Sequence, residues 1–105
     1  MVDGSDSSDL RGRTVRGSNG KVLGRVVRVY LDELTDKPVW VTVRLGALGR
    51  SECFVPLGTS RLDEPELRVP YSKDTVRDAP LVEPLPRIDI GAEIDLHRYY
   101  GLLWR

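Results

Sequence analysis

The chain has 105 residues, and 16 Lys plus Arg balance 16 Asp plus Glu, so its formal net charge is zero and its length suits one domain rather than a large enzyme scaffold. A hydrophobic share of 40% beside a charged share of 30% is globular composition. Folding at this size buries roughly two-thirds of the unfolded surface, enough for a core without staples. One Cys and one His exclude an internal disulfide and a structural zinc cluster, so neither metal nor cofactor is expected.

Residues 1–9 are mainly Ser, Asp and Gly and lack the basic start and apolar stretch of an export signal; they read as a mobile tail ahead of a domain over residues 10–105. The longest apolar stretches, such as Val39 to Val43, are broken within a few positions, far short of the ~20 residues of a membrane span. Together with the lone thiol, this favours a reducing cytoplasm. Gly17 to Gly20 form a turn cluster, and the Val-rich segment Lys21–Asp32 reads as a strand whose phase a bulge at Gly24 switches. After the polar turn Asp32–Pro38, Val39, Val41, Val43 and Leu45 alternate with Trp40, Thr42 and Arg44 as in a half-buried strand. The turn Gly46-Ala47-Leu48-Gly49 leads to a strand carrying Cys53, Val55 and Leu57 on one parity. A shorter one carries Leu67, Val69 and Tyr71, with Pro70 placing it at an edge or strand end.

Ser72 is a helix cap for one or two turns over Lys73–Asp78, stopped by Pro80. Pro80, Pro84 and Pro86 force an extended connection. Leu96, Tyr99, Tyr100 and Leu103 then follow i, i+3, i+4, i+7 in a short helix over Ala92–Tyr100, with Gly101 as its left-handed cap. The fold class is therefore mainly β: a small, strongly bent antiparallel sheet or barrel of five to six strands with a short C-terminal helix.

Gly20-x-x-x-Gly24-x-Val26, Trp40-Val41-x-Val43, Phe54-Val55-Pro56-Leu57, the run Val69 to Pro80 and the ending Tyr99-Tyr100-Gly101 together resemble the PRC-barrel domains, and in particular their stand-alone bacterial branch. The likeness spans Leu10 to Leu102. Relatives of that fold include the cytoplasmic domain of the photosynthetic reaction centre H subunit, the C-terminal half of a ribosome maturation factor and archaeal cell-division proteins. The resemblance implies a barrel and a theme of protein docking, with no catalytic residues to carry over.

The residues themselves point the same way. Asp74 with Asp78, and Asp89 with Glu93, are spaced to share a helical face, but acids so placed cap or flank helices, and no nucleophile accompanies them. His97 reads as a surface imidazole or one hydrogen-bonded to a neighbouring acid, and Cys53 as an inert buried thiol. Gly17 to Lys21 fails as a phosphate loop, because Val15 stands where its first Gly belongs and Val22 where Ser or Thr belongs.

Two surfaces remain. Tyr71, Lys73, Asp74 and Arg77, with Tyr99, Tyr100, Leu103 and Trp104, form the candidate interaction surface; the apolar excess at the C-terminus either closes the barrel end or makes a homodimer contact. Arg11, Arg13, Arg16, Lys21, Arg25 and Arg28 lie in a stretch without one acid and form an alternative phosphate-binding surface, although Asp63, Glu64 and Glu66 among others are placed to neutralise them. The expected function is a non-enzymatic, self-associating protein-interaction or scaffolding module that docks through strand edges or the loop from Tyr71 to Ala79; RNA or ribosome association is the alternative. A small-molecule site requires a pocket of about 300 Å³ or more with converging polar groups, and the sequence offers no such set.

Overall fold

The computed structural model describes residues 10–46 and 52–101. The expected tail, the residues Ala47 to Gly49 of the expected turn, and Leu102 to Arg105 lie outside them. Six strands form one sheet: β1 (Thr14–Arg16), β2 (Val22–Leu31), β3 (Pro38–Leu45), β4 (Glu52–Pro56), β5 (Arg61–Asp63) and β6 (Glu66–Arg68). Their spatial order is β4-β3-β2-β1-β6-β5, so the sheet is open, with β4 and β5 at its edges. Every pairing is antiparallel except β1 with β6, where Val15 lies opposite Leu67 and Arg16 opposite Arg68 in parallel. The sheet is antiparallel as expected apart from this one junction, where β6 returns alongside β1 from a distant part of the chain rather than through a hairpin.

Two register shifts bend β2. Against β1, Leu23 is the extra residue; against β3, Val27 is. Such insertions increase local twist and curl a sheet toward closure. The phase change thus falls on either side of Gly24 rather than on it. Gly24 has another role: a Cβ at that position would collide with the carbonyl oxygen of Arg44, so the absent side chain lets β2 and β3 approach.

The inner face of the curled sheet gathers Leu10, Val15, Leu23, Val26, Val41, Val43, Cys53, Val55, Leu57, Leu67 and Val69, joined by Val76. Alternation places those of β1, β3, β4 and β6, since one parity of each of these strands faces inward, whereas in β2 the register shifts bring Leu23 and Val26, of opposite parity, to the same core. The outer face of β2, β3 and β4 is also buried. Tyr30, Trp40 and Phe54 stack there, with Trp40 edge-on to Phe54 at 6.5 Å between ring centroids. Thr42 between them is fully buried and satisfied: it accepts from the Arg28 backbone N–H at 3.1 Å and donates to Glu52 at 2.7 Å.

Two helices supply the cover. In α1 (Lys73–Arg77) the Ser72 hydroxyl accepts from the Thr75 N–H at 3.2 Å, and Val76 enters the inner core. α2 (Ile90–Tyr100) starts earlier than the sequence suggests because Asp89 caps it by accepting from the Ala92 N–H; Gly101 closes it at φ 71°. Its Leu96 is buried on the Trp40 face beside Tyr100. Tyr99, expected on the same stripe, is turned outward and 39% exposed. No helix among the described residues is long and apolar enough to cross a membrane.

Candidate functional site

The outer aromatic layer positions a cleft. Asp32 begins the β2–β3 turn, and its carboxylate accepts the backbone N–H groups of Leu34 (2.8 Å) and Thr35 (3.0 Å), which hold it below the ordinary carboxylate range. The backbone closes the same turn through Asp36 N–H to Asp32 O at 2.9 Å, with Asp36 in the left-handed region at φ 58°. This fixed turn lifts Leu34 to its tip, where the side chain is 94% exposed. Facing it is the proline-bearing segment 80–88, which is tied to the sheet by Tyr30 donating to the Leu85 carbonyl at 2.6 Å, with Val82 and Ile88 packed on the aromatic layer. The first turns of α2 complete the wall: the Trp40 indole N–H donates to Glu93 at 3.1 Å, and the His97 ring sits edge-on to Trp40 at 5.5 Å.

Between these walls lies a cleft of about 960 Å³, lined among others by Leu31, Leu34, Trp40, Arg87, Ile90 and Glu93. Its volume exceeds the ~300 Å³ of a small ligand site. Several polar groups lining it are engaged: Glu93 with Trp40, Asp32 with the turn, and Arg87 with Glu33 at 3.2 Å. Exposed Asp36 and Lys37 stand at its rim, beside open apolar surface. Leu31 is 44% and Ile90 61% exposed beside Leu34. Sequence reasoning passed over this site because it treated Asp32–Pro38 as a polar turn and 80–88 as a connection. A leucine two residues after an Asp cap in an otherwise polar turn is the local signal that was available.

The interaction surface read from the sequence is assembled in part. Tyr71 meets Tyr100 at 4.7 Å, and Tyr99 meets Tyr100 at 5.1 Å. Each hydroxyl is held: Tyr71 with the Thr59 hydroxyl (2.7 Å), Tyr99 donating to Thr75 O (2.6 Å), and Tyr100 donating to Phe54 O (2.7 Å). Burial pushes the Tyr100 hydroxyl well above its ordinary pKa, and that of Tyr30 upward as well. Lys73, Asp74 and Arg77 stand exposed on α1, where Arg77 bridges Asp74 at 3.0 Å and Asp78 at 3.4 Å. Leu103 and Trp104 lie outside the described residues. On edge strand β4 the carbonyls of Phe54 and Pro56 already accept from Tyr100 and Ser60.

The basic stretch is divided. Arg13 pairs with Glu64 (2.9 Å), Arg16 makes a two-bonded pair with Glu66 (2.9 and 2.8 Å), and Arg28 pairs with Glu52 (3.0 Å). The Arg16 guanidinium holds the Glu66 carboxyl below its usual range. Arg11, Lys21 and Arg25 are exposed. The two carboxylate pairs considered for catalysis are structural: Asp74 and Asp78 flank Arg77, Asp89 caps α2, and Glu93 receives Trp40. His97 is half-buried against Trp40, which corrects the surface-imidazole alternative of its reading, whereas Cys53 is buried and its thiol pushed up by desolvation.

A short-stranded open sheet curled round an aliphatic centre, with one short helix joining that centre, a second helix over the outer face and an apolar opening beside it, is a small β-barrel-like domain. The chain belongs to the PRC-barrel domain family, whose model matches residues 3–76. That family is non-catalytic, and its domains are in general protein-interaction modules. The match covers the sheet and most of α1, so the 86–97 wall of the cleft lies beyond it. No curated protein matches the chain.

Proposed function

We propose that this chain is a non-enzymatic docking module that holds a segment of a partner protein in the cleft between the β2–β3 turn and α2. The observation that carries the reading is Leu34, 94% exposed at the tip of a turn that hydrogen bonds keep in place, with Leu31 and Ile90 at the same opening. Burying apolar surface against a partner gains about 25 cal/mol per Å² before the costs of association. A rigid turn loses little freedom in doing so. RNA association is less well supported, because Arg13, Arg16 and Arg28 are held on Glu64, Glu66 and Glu52.

A photo-crosslinking residue at position 34 tests the docking surface, with one at Val22, 51% exposed at the opposite end of β2, as the control. A discrete partner trapped from position 34 alone, and lost in Ile90→Lys, is the expected result. The same products from both positions would refute the reading.

Self-association is a second component of the proposal. Its support is the exposed ring of Tyr99 beside α1, shortly before the apolar Leu102, Leu103 and Trp104 in sequence. Removing Leu102 to Arg105 is expected to lower the mass seen by light scattering to that of a monomer without loss of secondary structure; an unchanged mass removes this component.

A further inference from the structure

The cleft is not electrically neutral, although the chain is. Among the described residues Asp32, Glu33, Asp36 and Glu93 line it against Lys37 and Arg87, four carboxylates to two cations. These charges surround an apolar opening formed by Leu31, Leu34 and Ile90 over Val39 and Trp40. Arg87 also shows what this rim accepts: its guanidinium crosses from the 86–90 wall to Glu33 on the turn at 3.2 Å, with both side chains largely exposed. An exposed pair of this kind is weak in water and open to exchange. A guanidinium or ammonium from outside can take its place without leaving a buried charge behind.

We infer that the cleft takes a cationic apolar segment of a partner protein, one that places a large apolar side chain between Leu34 and Ile90 and lysine or arginine against Glu33 and Asp36. This rests on the docking reading above and adds the chemistry of the occupant. Apolar area supplies the attraction, and the acidic rim supplies selection among apolar segments by penalising like charge.

The test uses the whole chain and two fluorescein-labelled peptides read by anisotropy: one built of leucine, tryptophan and lysine, the other identical except that glutamate replaces each lysine. The cationic peptide is expected to bind at least tenfold more tightly. Glu33→Lys is expected to weaken it several-fold and to favour the anionic peptide, whereas Asp78→Lys, the same charge change on the distant end of α1, leaves both unchanged. Leu34→Ser is expected to weaken both peptides.

Equal binding of the two peptides, with both weakened by Leu34→Ser, would overturn the charge inference and leave the docking reading standing. Binding indifferent to Leu34→Ser in a variant with an unchanged melting profile, or binding of neither peptide, would overturn both. Displacement of the cationic peptide by unlabelled chain, together with dimer mass lost in Leu34→Ser, would assign the cleft to a second copy and overturn the inference. Equal weakening by Glu33→Lys and Asp78→Lys would reduce the preference to overall charge and overturn it too.

Discussion

The two faces of the sheet are built differently. The inner face is aliphatic and collective: Val15, Val41, Val43, Val55 and Leu67 are all fully buried, come from the four strands β1, β3, β4 and β6, and need no polar partner. The outer face is aromatic and individual. Trp40 donates to Glu93, Tyr30 to the Leu85 carbonyl and Tyr100 to the Phe54 carbonyl, so each ring is both packed and tethered to one acceptor. Packing without direction makes a core; packing with directed hydrogen bonds sets where a helix and a loop must sit. The cleft exists because of the second arrangement.

The strongest break of this contrast is Trp40→Ala, which removes the centre of the outer layer and its bond to Glu93. A loss of ~3–5 kcal/mol is expected from urea unfolding, accompanied by loss of peptide binding at the cleft. Leu67→Ala on the inner face is expected to cost about 2–5 kcal/mol while leaving cleft binding intact above the unfolding transition. If the two variants lose stability and binding in the same proportion, the faces are not independent.

Tyr100→Phe sharpens the contrast with a smaller change, because it deletes one tether and keeps the ring. About 1 kcal/mol is expected from the lost bond to the Phe54 carbonyl, measured as a shift in the urea midpoint at constant slope. It also alters the alkaline limb. Burial raises the folded hydroxyl above its unfolded value near ~10, so the unfolded chain releases its proton first. The stabilisation is complete below about pH 10 and falls as pH rises through the folded pKa. Tyr100→Phe is expected to flatten that fall, leaving the part due to Tyr30.

The smallest expected effect is at the rim of the sheet, between β1 and β6. Arg16 depresses the folded pKa of Glu66, so their contribution is present above the unfolded value near ~4.3 and lost as pH falls through the folded one. Glu66→Gln is expected to lower stability slightly at pH 7 and to match the parent chain once pH has fallen below the folded pKa, read as a flatter stability profile below about pH 4. An acid limb identical to that of the parent chain would show that the pair adds nothing measurable.

The identity of the long strands was legible because alternation in β3 and β4 is strong and local and β2 is Val-rich on both sides of its phase switch, as were the caps Ser72 and Gly101, each fixed by chemistry within a few residues. The family resemblance drew on the same segments, and the match over residues 3–76 covers them up to α1 but stops short of Pro80 and of Tyr99-Tyr100-Gly101. The three-residue strands β1 and β5 are too short for periodicity to show, and the parallel meeting of β1 with β6 has no local code. Tyr71, Tyr99 and Tyr100 were recognised as residues of interest, but their mutual stacking and their hydrogen bonds to Thr59, Thr75 and Phe54 were not visible.

By itself, then, the sequence determined the period-two pattern that sorts one parity of β3 and β4 inward, the turns that separate the strands and the start and stop of two helices, because each depends on neighbours a few residues away. Only the tertiary structure decided which side of α2 is buried. Its face is set by Trp40, more than fifty positions earlier, which selects Glu93, Leu96, His97 and Tyr100 through one hydrogen bond and ring contacts that no amphipathic count of the helix contains. The same holds for the cleft: Leu34 and Ile90 are unremarkable apolar residues in a turn and at a helix start until folding sets them across one opening with Glu33 and Arg87 between them.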